Sequence, residues 1–491
     1  MKRLRIGLEK NDQLTIAEWI IAGVLFSVFF GSYLYVDICQ TAPSSLNIWN
    51  SLLDGNVLGF YSYHYEGVKG SYIPNGVTGG AYDLVLYIIF AVYNFPLWIY
   101  ELITGTSFLD AYLGRVYMKG ILALFAILSA WMIKKIVCLL SDDSKLSLWA
   151  MFLFLFSHLT VSTVIVIGGY DILSVFFTLA GLYFYLKNDN GKFVLFFAIA
   201  TVCKMFALWI YIPLVLLKEK KIHKILLYGV GSISLIVIPK VLTAIVNLIG
   251  TGSEGSATDV AVKGNQIIAH SNIINDKLFN GNIGPIRFGN IPLLFVAMLL
   301  IWWFCWKKKN VTQYEIIFAC AVSMSSFFLF ADTYPYWIIL LVPYIVLLLV
   351  LNPVNIVDNT ILEGVFSVGY IISSACVRRQ CYNMNLLVYM LKPDCITVQG
   401  EMDYVDFGIS SIMLKFSQLI GISYENITSL FLTCFAVGLI LFLWYNRPGK
   451  QDGVMDMCLL RRCVIVRTMV ALCVAMIPML GVLDCLFTIY L

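Results

Sequence analysis

The chain has 491 residues, of which 60% are hydrophobic and 13% are charged, with a mean hydropathy of +0.85 and a net charge of +4. A soluble domain is about 45–50% apolar and about 25% charged, so the composition excludes an ordinary soluble protein. Apolar runs of about 20 residues recur, and each is long enough to cross a bilayer as a helix. The fold class is therefore predicted to be an all-α polytopic membrane protein, because lipid requires backbone hydrogen bonds to be satisfied within each segment.

The basic residues fall in short clusters beside the apolar runs, a pattern that indicates membrane topology and not nucleic-acid binding. The cluster within residues 2–10 places the N-terminus in the cytoplasm. The first apolar run, residues 14–36, lies in a stretch (residues 11–36) that is too long for the apolar h-region of a signal peptide and has no small-residue cleavage site. It is expected to remain as the first span and to end outside, at Asp37.

Residues 37–115 are predicted to form one external unit that contains interfacial helices. The apolar stretch 81–103 cannot be a full span, because one more crossing would put Lys134 and Lys135 outside the cell. We therefore expect this stretch, rich in Tyr and Trp, to lie on the outer face or dip into it. The second span, residues 116–137, then runs inward.

The third span is predicted at residues 146–167 and the fourth at 172–186, joined by a tight external turn. Residues 193–217 are about one span long, yet basic residues flank both ends, so a single crossing would break the charge rule. We predict two short helices that form a hairpin with its tip near Lys204. Because broken helices are tolerated only where they face protein or a water-filled cavity, Lys204 should point into such a cavity.

The remaining spans alternate between the two faces and give about 13 membrane helices in total, with the hairpin counted as two. They are residues 225–249, 291–306, 314–331, 337–351, 361–377, 427–445 and a last span that ends near residue 491. Residues 250–290 form a long polar outer loop, and Asp332 begins a tight external corner that ends at Tyr336. A further external region is expected over residues 378–426.

On this topology, acids and cations gather at the outer face. They are Asp37, Asp54, His64, Glu66, Lys69, Asp171, Lys204, Asp332, Arg378 and Arg379. Such a set suits group transfer onto a hydroxyl, because a carboxylate can take the proton of the acceptor and cations can hold a phosphate or pyrophosphate leaving group. No cofactor is indicated. A divalent metal is a possibility that no pair of ligands supports, because no second acid lies beside Asp37.

Each of these residues also has a purely structural interpretation. Asp37 could be an interfacial acid, and Asp171 could interact with the N-terminal dipole of its own helix. Lys204 could snorkel to the interface or form a structural ion pair, although charges at membrane depth are usually functional. The pair Arg378–Arg379 could be ordinary loop charges. His158, inside the third span, is expected to be hydrogen-bonded within the packing.

Several stretches carry an ordered pattern. They are Asp37 after the first span, Trp49-Asn50-Ser51-Leu52-Leu53-Asp54-Gly55, Phe60-Tyr61-Ser62-Tyr63, Ser71-Tyr72-Ile73-Pro74-Asn75-Gly76, the helix from Asp171 to Lys187, Thr201-Val202-Cys203-Lys204, and the corner Tyr334-Pro335-Tyr336 before Val342-Pro343-Tyr344. This order resembles the GT-C superfamily of integral membrane glycosyltransferases, which use polyprenyl-phosphate sugars. The resemblance covers roughly residues 14–351.

The resemblance implies that a sugar moves, with inversion, from a polyprenyl-phosphate donor to a glycan, lipid or protein acceptor at the extracytoplasmic face. It implies that Asp37 is the catalytic base and that the outer loop 250–290 closes over the donor. The residues expected to bind substrate or phosphate are Lys204, Arg378, Arg379, Asp171, Asp54, His64, Tyr334 and Tyr336. Two departures from the family pattern are the missing acid beside Asp37 and the single proline, Pro74, where the family often has two.

The resemblance divides the chain into a catalytic core, residues 1–351 with its external loop 37–115, and variable C-terminal membrane helices, residues 352–491. Two other functions fit the composition. One is a polymerase or ligase that joins lipid-linked glycans, which usually has a large late loop rich in Arg. The other is a transporter or lipid flippase, which predicts two similar halves with broken helices in matching positions.

Overall fold

The structure is a computed structural model that describes residues 16–34, 36–55, 60, 64–65, 77–78, 82–106, 111–141, 143–249, 291–378, 381–382, 409–449 and 455–490. The described chain is almost entirely helical. The described residues also include two short strands, β1 (His64–Tyr65) and β2 (Val77–Thr78), which pair in antiparallel orientation.

The helices follow one another with short breaks. The first group is α1 (Ile16–Ser32), α2 (Val36–Leu53), α3 (Leu84–Thr104), α4 (Tyr112–Ser141), α5 (Ser144–Leu155), α6 (His158–Thr160), which continues as a π-helix over Val161–Ile167, α7 (Ile172–Leu186), α8 (Asn190–Cys203), α9 (Leu208–Lys218) and α10 (Ile222–Ile249). The second group is α11 (Leu293–Lys307), α12 (Gln313–Phe330), α13 (Val342–Leu351), α14 (Ile356–Val377), α15 (Ile409–Ile420), α16 (Tyr424–Tyr445) and α17 (Met457–Tyr490). Short 3₁₀ turns cover Met205–Ala207, Pro335–Leu340 and Pro353–Asn355.

The described residues contain six helices that are long and apolar enough to cross a membrane, or seven if one bent pair is counted as a span. The six are Leu84–Thr104, Tyr112–Ser141, Ile222–Pro239, Gln313–Phe330, Pro353–Val377 and Tyr424–Tyr445. This confirms the predicted class, a multi-pass helical membrane protein. The described part of the chain contains fewer candidate spans than the predicted number of about 13 membrane helices.

The chain after the first helix contains more regular structure than expected. Residues 36–53, predicted as part of a polar external unit, form the helix α2, which packs on α3. Two indole groups join them: Trp49 donates to the carbonyl of Ala91 at 2.9 Å, and Trp98 donates to the side chain of Asn50 at 2.8 Å. The helix α3 is long and apolar enough to cross a membrane, although the sequence predicted an interfacial segment here. Its interfacial placement therefore stays a prediction.

The predicted third span, residues 146–167, is bent, because two helices cover it and are long enough for a crossing only when taken together. The helix α5 ends at Leu155, and the segment His158–Ile167 continues at a bend of 43°. The prediction for His158 is wrong: within the described residues, neither ring nitrogen of this buried side chain has a hydrogen-bond partner. The break thus leaves a polar side chain facing the interior of the helix bundle.

The predicted hairpin is confirmed. The helix α8 ends at Cys203, and Lys204 has an extended backbone (φ −156°, ψ 116°) before the chain turns into α9. The rings of Phe193 and Tyr211 are stacked with their centroids 5.0 Å apart. Residues with this separation in the sequence would lie about 27 Å apart in one continuous helix, so α8 and α9 fold back on each other.

The corner that precedes the hairpin is stabilised by a capping acid. The side chain of Asp189 accepts a hydrogen bond from the backbone N–H of Lys192 at 3.1 Å, the usual arrangement at a helix N-terminus. This hydrogen bond, with the Lys192 ammonium 3.2 Å away, lowers the pKa of Asp189. The cap sets the direction in which α8 leaves α7 and so directs its other end toward the turn before α7.

The helices α14 and α16 pack closely along their lengths and determine where the end of α14 lies. A Cβ at Gly369 would be 2.6 Å from the carbonyl oxygen of Phe431, so only glycine allows this approach. At the start of α14, the amides of Asn359 and Asn446 exchange hydrogen bonds of 3.1 and 2.7 Å. These contacts position the opposite end of α14, which carries Arg378.

Candidate functional site

The turn between the π-helix and α7 forms the floor of the site. Gly168 has a left-handed backbone (φ +79°), and its N–H and that of Gly169 both bond to the carbonyl of Thr163 at 2.9 Å. A Cβ at Gly169 would lie 2.5 Å from the Cβ of Tyr336, so the turn has no room for a side chain at this position. This close approach places the next residues, Tyr170 and Asp171, beside the segment that follows α12 and contains Tyr336.

A buried ion pair joins this turn to the tip of the hairpin. The Nζ of Lys204 lies 2.8 Å from Oδ1 of Asp171, and the two side chains are 14% and 0% exposed. Asp171 begins α7, yet its side chain makes no capping hydrogen bond to that helix. Its carboxylate therefore pairs with Lys204 and does not cap its own helix. Of the two interpretations drawn from the sequence, a contact with the binding-site lysine and a contact with the helix N-terminus, the structure has the first.

Aromatic rings surround the ammonium group of Lys204. Its Nζ lies 4.7 Å from the ring centroid of Trp337, 5.5 Å from that of Tyr170 and 5.7 Å from that of Tyr336. At these distances the faces of the rings attract a cation. The rings and Asp171 together hold Lys204 in one orientation while most water is excluded.

A second ion pair lies next to the first. The Nη2 of Arg378, at the end of α14, donates to Oδ2 of Asp332 at 2.7 Å, and its guanidinium lies 4.8 Å above the ring of Tyr334. The rings of Tyr334 and Trp337 are 5.3 Å apart, so two rings lie between the two cations. Among the described residues, the Nε of Arg378 has no hydrogen-bond partner.

We call this group the paired-cation cluster. Its members are Asp171, Lys204, Asp332, Tyr334, Tyr336, Trp337 and Arg378. Chemically it offers two oriented cations beside a wall of aromatic faces. An ammonium has three N–H donors and a guanidinium has five, so each cation can bind an anionic group in addition to its acid.

The chain near Asp37 lies close to this cluster through a second buried lysine. The Nζ of Lys119 donates to the carbonyl of Tyr33 at 2.7 Å, to that of Phe30 at 2.9 Å, and to that of Ile165. It thus ties the segment that precedes Asp37 to the π-helix that leads into the Gly168–Asp171 turn. Cross-linking of carbonyls by a buried ammonium also satisfies groups left without partners at two helix ends.

The N-terminal unit touches the cluster at a second point. The ring of Tyr82, just before α3, is 5.2 Å from that of Tyr170, and Phe90 within α3 is 6.2 Å from the same ring. Tyr170 is the neighbour of Asp171. The segment after the first helix therefore lies against the same end of the bundle as the cations.

The structure brings together five of the residues predicted for the site and leaves four elsewhere or undescribed. Lys204, Asp171, Tyr334, Tyr336 and Arg378 belong to the paired-cation cluster. Asp54 lies at the end of α2 opposite to Asp37, about 25 Å along the helix axis. The backbone of Asp37 begins α2, but its side chain and that of His64 fall outside what the structure describes. Arg379 falls outside it entirely.

Sequence reasoning missed three residues that form this site: Tyr170, Trp337 and Lys119. A signal existed for each of them. Tyr170 and Trp337 directly adjoin predicted site residues, and Lys119 is a charge inside the predicted span 116–137, which is the same signal that singled out Lys204. Where the chain is described, no group of three or more His, Cys, Asp or Glu side chains could hold a metal ion.

Comparison with known proteins adds no relative: no protein-family model, no curated protein and no solved structure matches the chain. The geometry of the site therefore carries the functional argument.

Proposed function

We propose that this protein is an inverting glycosyltransferase that moves a sugar from a polyprenyl phosphate to an acceptor hydroxyl. The observation that carries the proposal is the paired-cation cluster. Lys204 and Arg378 are oriented in advance by Asp171 and Asp332, and the Nε of Arg378 is a donor without a partner among the described residues. Preorganised donors of this kind stabilise charge that develops on a leaving group.

In the proposed reaction, the acceptor oxygen attacks the anomeric carbon of the donor and a new C–O bond forms there. The bond from that carbon to the phosphate oxygen breaks on the opposite side, which inverts the configuration. Asp37 takes the acceptor proton as general base. The departing polyprenyl phosphate keeps the bonding electrons, and Lys204 and Arg378 neutralise its charge. Asp171 acts through Lys204 and is a positioning residue.

The finer topology belongs to the same proposal. The end of the bundle that carries the cluster faces the extracytoplasmic side, the N-terminus lies in the cytoplasm, and the chain has about 13 membrane helices. The expected closure of residues 250–290 over the donor concerns residues outside the described part of the chain.

The phosphate-binding part is tested with labelled polyprenyl phosphate and the purified protein in lipid nanodiscs. Arg378→Gln and Lys204→Met are each expected to weaken binding about tenfold to a hundredfold, because a hydrogen bond to a charged group contributes about 1.5–3 kcal/mol. Lys192→Gln is the matched control, since Lys192 forms an exposed ion pair at the other end of α8. Unchanged binding in both cluster variants would contradict the proposal.

The catalytic part is tested at Asp37. Asp37→Asn is expected to lower turnover by about 10²–10⁴-fold while binding of polyprenyl phosphate is retained, because the amide cannot accept the proton. Turnover is followed by transfer of radiolabelled sugar from a panel of polyprenyl-phosphate sugars to a soluble acceptor. A folded Asp37→Asn protein with near-full turnover would show that the base is another group.

The alternative function, lipid transport, predicts broken helices in matching positions of two similar halves. A second discontinuous helix exists, at the break between α5 and α6, but it and the break at Lys204 both lie in the first half of the chain. A flippase would move labelled polyprenyl phosphate across proteoliposome membranes without any sugar transfer. Measuring both activities on one preparation distinguishes the two functions.

A further inference from the structure

A cavity lies where two candidate membrane spans meet end to start. Residues at the end of the span Tyr424–Tyr445 and at the start of the span Pro353–Val377 line this cavity, which has a volume of about 590 Å³. The ends of membrane-spanning helices lie at the depth of the lipid headgroups, where Trp and Tyr side chains are common. Trp444 and Tyr445 line the cavity. The cavity therefore lies at the boundary between the hydrocarbon core and water.

The cavity contains a cation that is oriented but not paired. The guanidinium of Arg447 lies 4.3 Å from the ring centroid of Trp444, a contact that fixes its position without using its N–H donors. The side chain is exposed, and among the described residues it has neither an ion pair nor a hydrogen bond. All five N–H donors of Arg447 are thus available to a ligand.

Other cations in this part of the bundle are compensated by acids. Arg467 of α17 forms a buried ion pair with Glu363 of α14. Glu315, on the helix α12 that packs against α16, is already paired with Lys308 at 2.8 Å. Arg447 differs from these cations, because no acid in the described ranges pairs with it.

Arg447 is also not required as a cap for α16. A cation after the end of a helix ordinarily interacts with the last carbonyl groups. Here the carbonyl of Tyr445 accepts from the amides of Asn352 at 3.2 Å and Asn355 at 3.4 Å. The next carbonyl accepts from the hydroxyl of Tyr314 at 2.8 Å. These neutral side chains satisfy the last two carbonyl groups, which leaves the guanidinium without a structural task at the helix end.

The cavity continues from this cation toward the hydrocarbon core. Leu441, about one turn before the end of α16, lines the cavity and is 41% exposed, and Val354 on the opposite wall is 62% exposed. Exposed aliphatic side chains on a membrane span face the acyl chains. Leu441 and Arg447 are about 9 Å apart along the helix axis. A cation and an apolar surface therefore follow each other in the order in which a phospholipid presents its phosphate and its acyl chains.

We propose that this cavity binds one phospholipid with a net negative charge, whose phosphate accepts hydrogen bonds from Arg447. A guanidinium presents parallel N–H donors that match two phosphate oxygens. An acyl chain of the same lipid lies against Leu441. A zwitterionic phospholipid fits less well, because its own cation already compensates its phosphate.

This lipid site is separate from the paired-cation cluster. It lies beside the start of α14, whereas Arg378 follows the end of that helix, about 33 Å away along the axis. The site therefore does not depend on the proposed transfer reaction.

The probe is phosphatidylglycerol that carries a photoreactive diazirine in one acyl chain, added to the purified full-length protein in detergent micelles. Labelling is expected to saturate and to map to peptides of α16 and of the start of α14. Unlabelled phosphatidylglycerol should compete about tenfold better than phosphatidylcholine with the same acyl chains, since the charge-assisted hydrogen bonds are stronger with an uncompensated phosphate. Equal competition by phosphatidylcholine would overturn the proposal and indicate annular lipid only.

A soluble headgroup distinguishes a lipid site from a site for free phosphate compounds. Glycerophosphoglycerol, the deacylated headgroup, should compete at least tenfold less than phosphatidylglycerol, because it buries no acyl chain. Competition equal to that of the intact lipid would overturn the proposal in favour of a soluble phosphate compound.

Variants test the cation. Arg447→Gln should weaken saturable labelling about tenfold, and Arg447→Lys, which keeps the charge, should retain more of it. Arg462→Gln is the matched control, because it removes the same charge from an exposed arginine of α17 that does not line the cavity. An equal loss in both Gln variants would show that the lipid responds only to the overall charge of the protein.

The opposite wall provides an independent test. Val354→Asp places a negative charge in the cavity and should weaken labelling at least tenfold, whereas the neutral Val354→Asn should stay near wild type. Labelling of folded Arg447→Gln or Val354→Asp at the wild-type level would show that the lipid binds elsewhere.

Discussion

At the scale of single residues, the physical rule that decides this site is that a buried charge needs a partner. Asp171 is completely buried, and its carboxylate would be strongly disfavoured without the ammonium of Lys204 at 2.8 Å. The same rule explains why three aromatic rings surround that ammonium where water is excluded. Lys204 is therefore held in one orientation, as the proposed binding of a phosphate group requires.

A double-mutant cycle tests this coupling. Asp171→Asn and Lys204→Met should each lower the free energy of unfolding by about 3–5 kcal/mol, because each leaves the partner charge buried and uncompensated. The double variant should lose clearly less than the sum of the two. Unfolding is followed by denaturant titration in detergent micelles.

The exposed pair Lys192–Asp189 provides the reference for that cycle. Removing Lys192 should change the free energy of unfolding far less than either substitution in the buried pair, since surface ion pairs contribute little. Strictly additive losses in the buried pair would show that Asp171 and Lys204 do not stabilise each other.

At the scale of elements, the site depends on two places where helices stop. The π-helix ends at Gly168, whose left-handed backbone turns the chain into α7, and α8 ends at Cys203. Both breaks could be predicted, the first from the Gly-Gly pair and the second from basic residues on both flanks of a single apolar run. The end of α14 is positioned differently, through its packing on α16, which no local pattern indicates.

The turn is tested with Gly169→Ala. The added methyl group would lie 2.5 Å from the Cβ of Tyr336, so turn and corner must move apart. We expect a loss of about 1–3 kcal/mol in stability, as for overpacking in a core, and weaker binding of polyprenyl phosphate. Differential scanning fluorimetry and the binding assay above measure the two effects.

Gly191→Ala serves as the control for that change, because its Cβ would lie 3.8 Å from the nearest atom, an oxygen of Asp189. This variant should be close to wild type in both measurements. A Gly169→Ala protein that is equally unaffected would mean that the turn and Tyr336 have room between them.

At the scale of the whole molecule, the C-terminal helices are joined to the rest of the chain by polar contacts. Arg467 of α17 contacts the break after α5, and the hydroxyl of Tyr33 donates to the carbonyl of Ala475 at 3.0 Å. The helix α14 contributes Arg378 to the paired-cation cluster. The segment after residue 351, expected to be a variable addition to the core, thus supplies one of the two cations.

The buried pair Glu363–Arg467 allows a prediction about this long-range connection. Arg467→Met alone should lower stability by about 3–5 kcal/mol, because Glu363 would remain buried as an unpaired charge. The double variant Glu363→Leu/Arg467→Met should recover most of this loss, since two apolar side chains replace the pair. Thermal unfolding in detergent checks both. If the double variant were less stable than Arg467→Met, the pair would have a stabilising role beyond mutual neutralisation.

The amino-acid sequence predicts the membrane class, the turn at Gly168, the hairpin at Lys204 and three charged members of the cluster, Asp171, Lys204 and Arg378. These features follow from hydropathy, charge and glycine placement, which act over a few residues, whereas Tyr334 and Tyr336 are expected only from the resemblance to a known family. Only the tertiary structure decided which charges meet: Arg378 pairs with Asp332 across 46 residues, and Arg467 pairs with Glu363 across 104. It also revealed α2, the bend after α5 and the role of Lys119. Such contacts depend on how helices distant in the sequence pack together, and the pattern within any one segment does not contain that information.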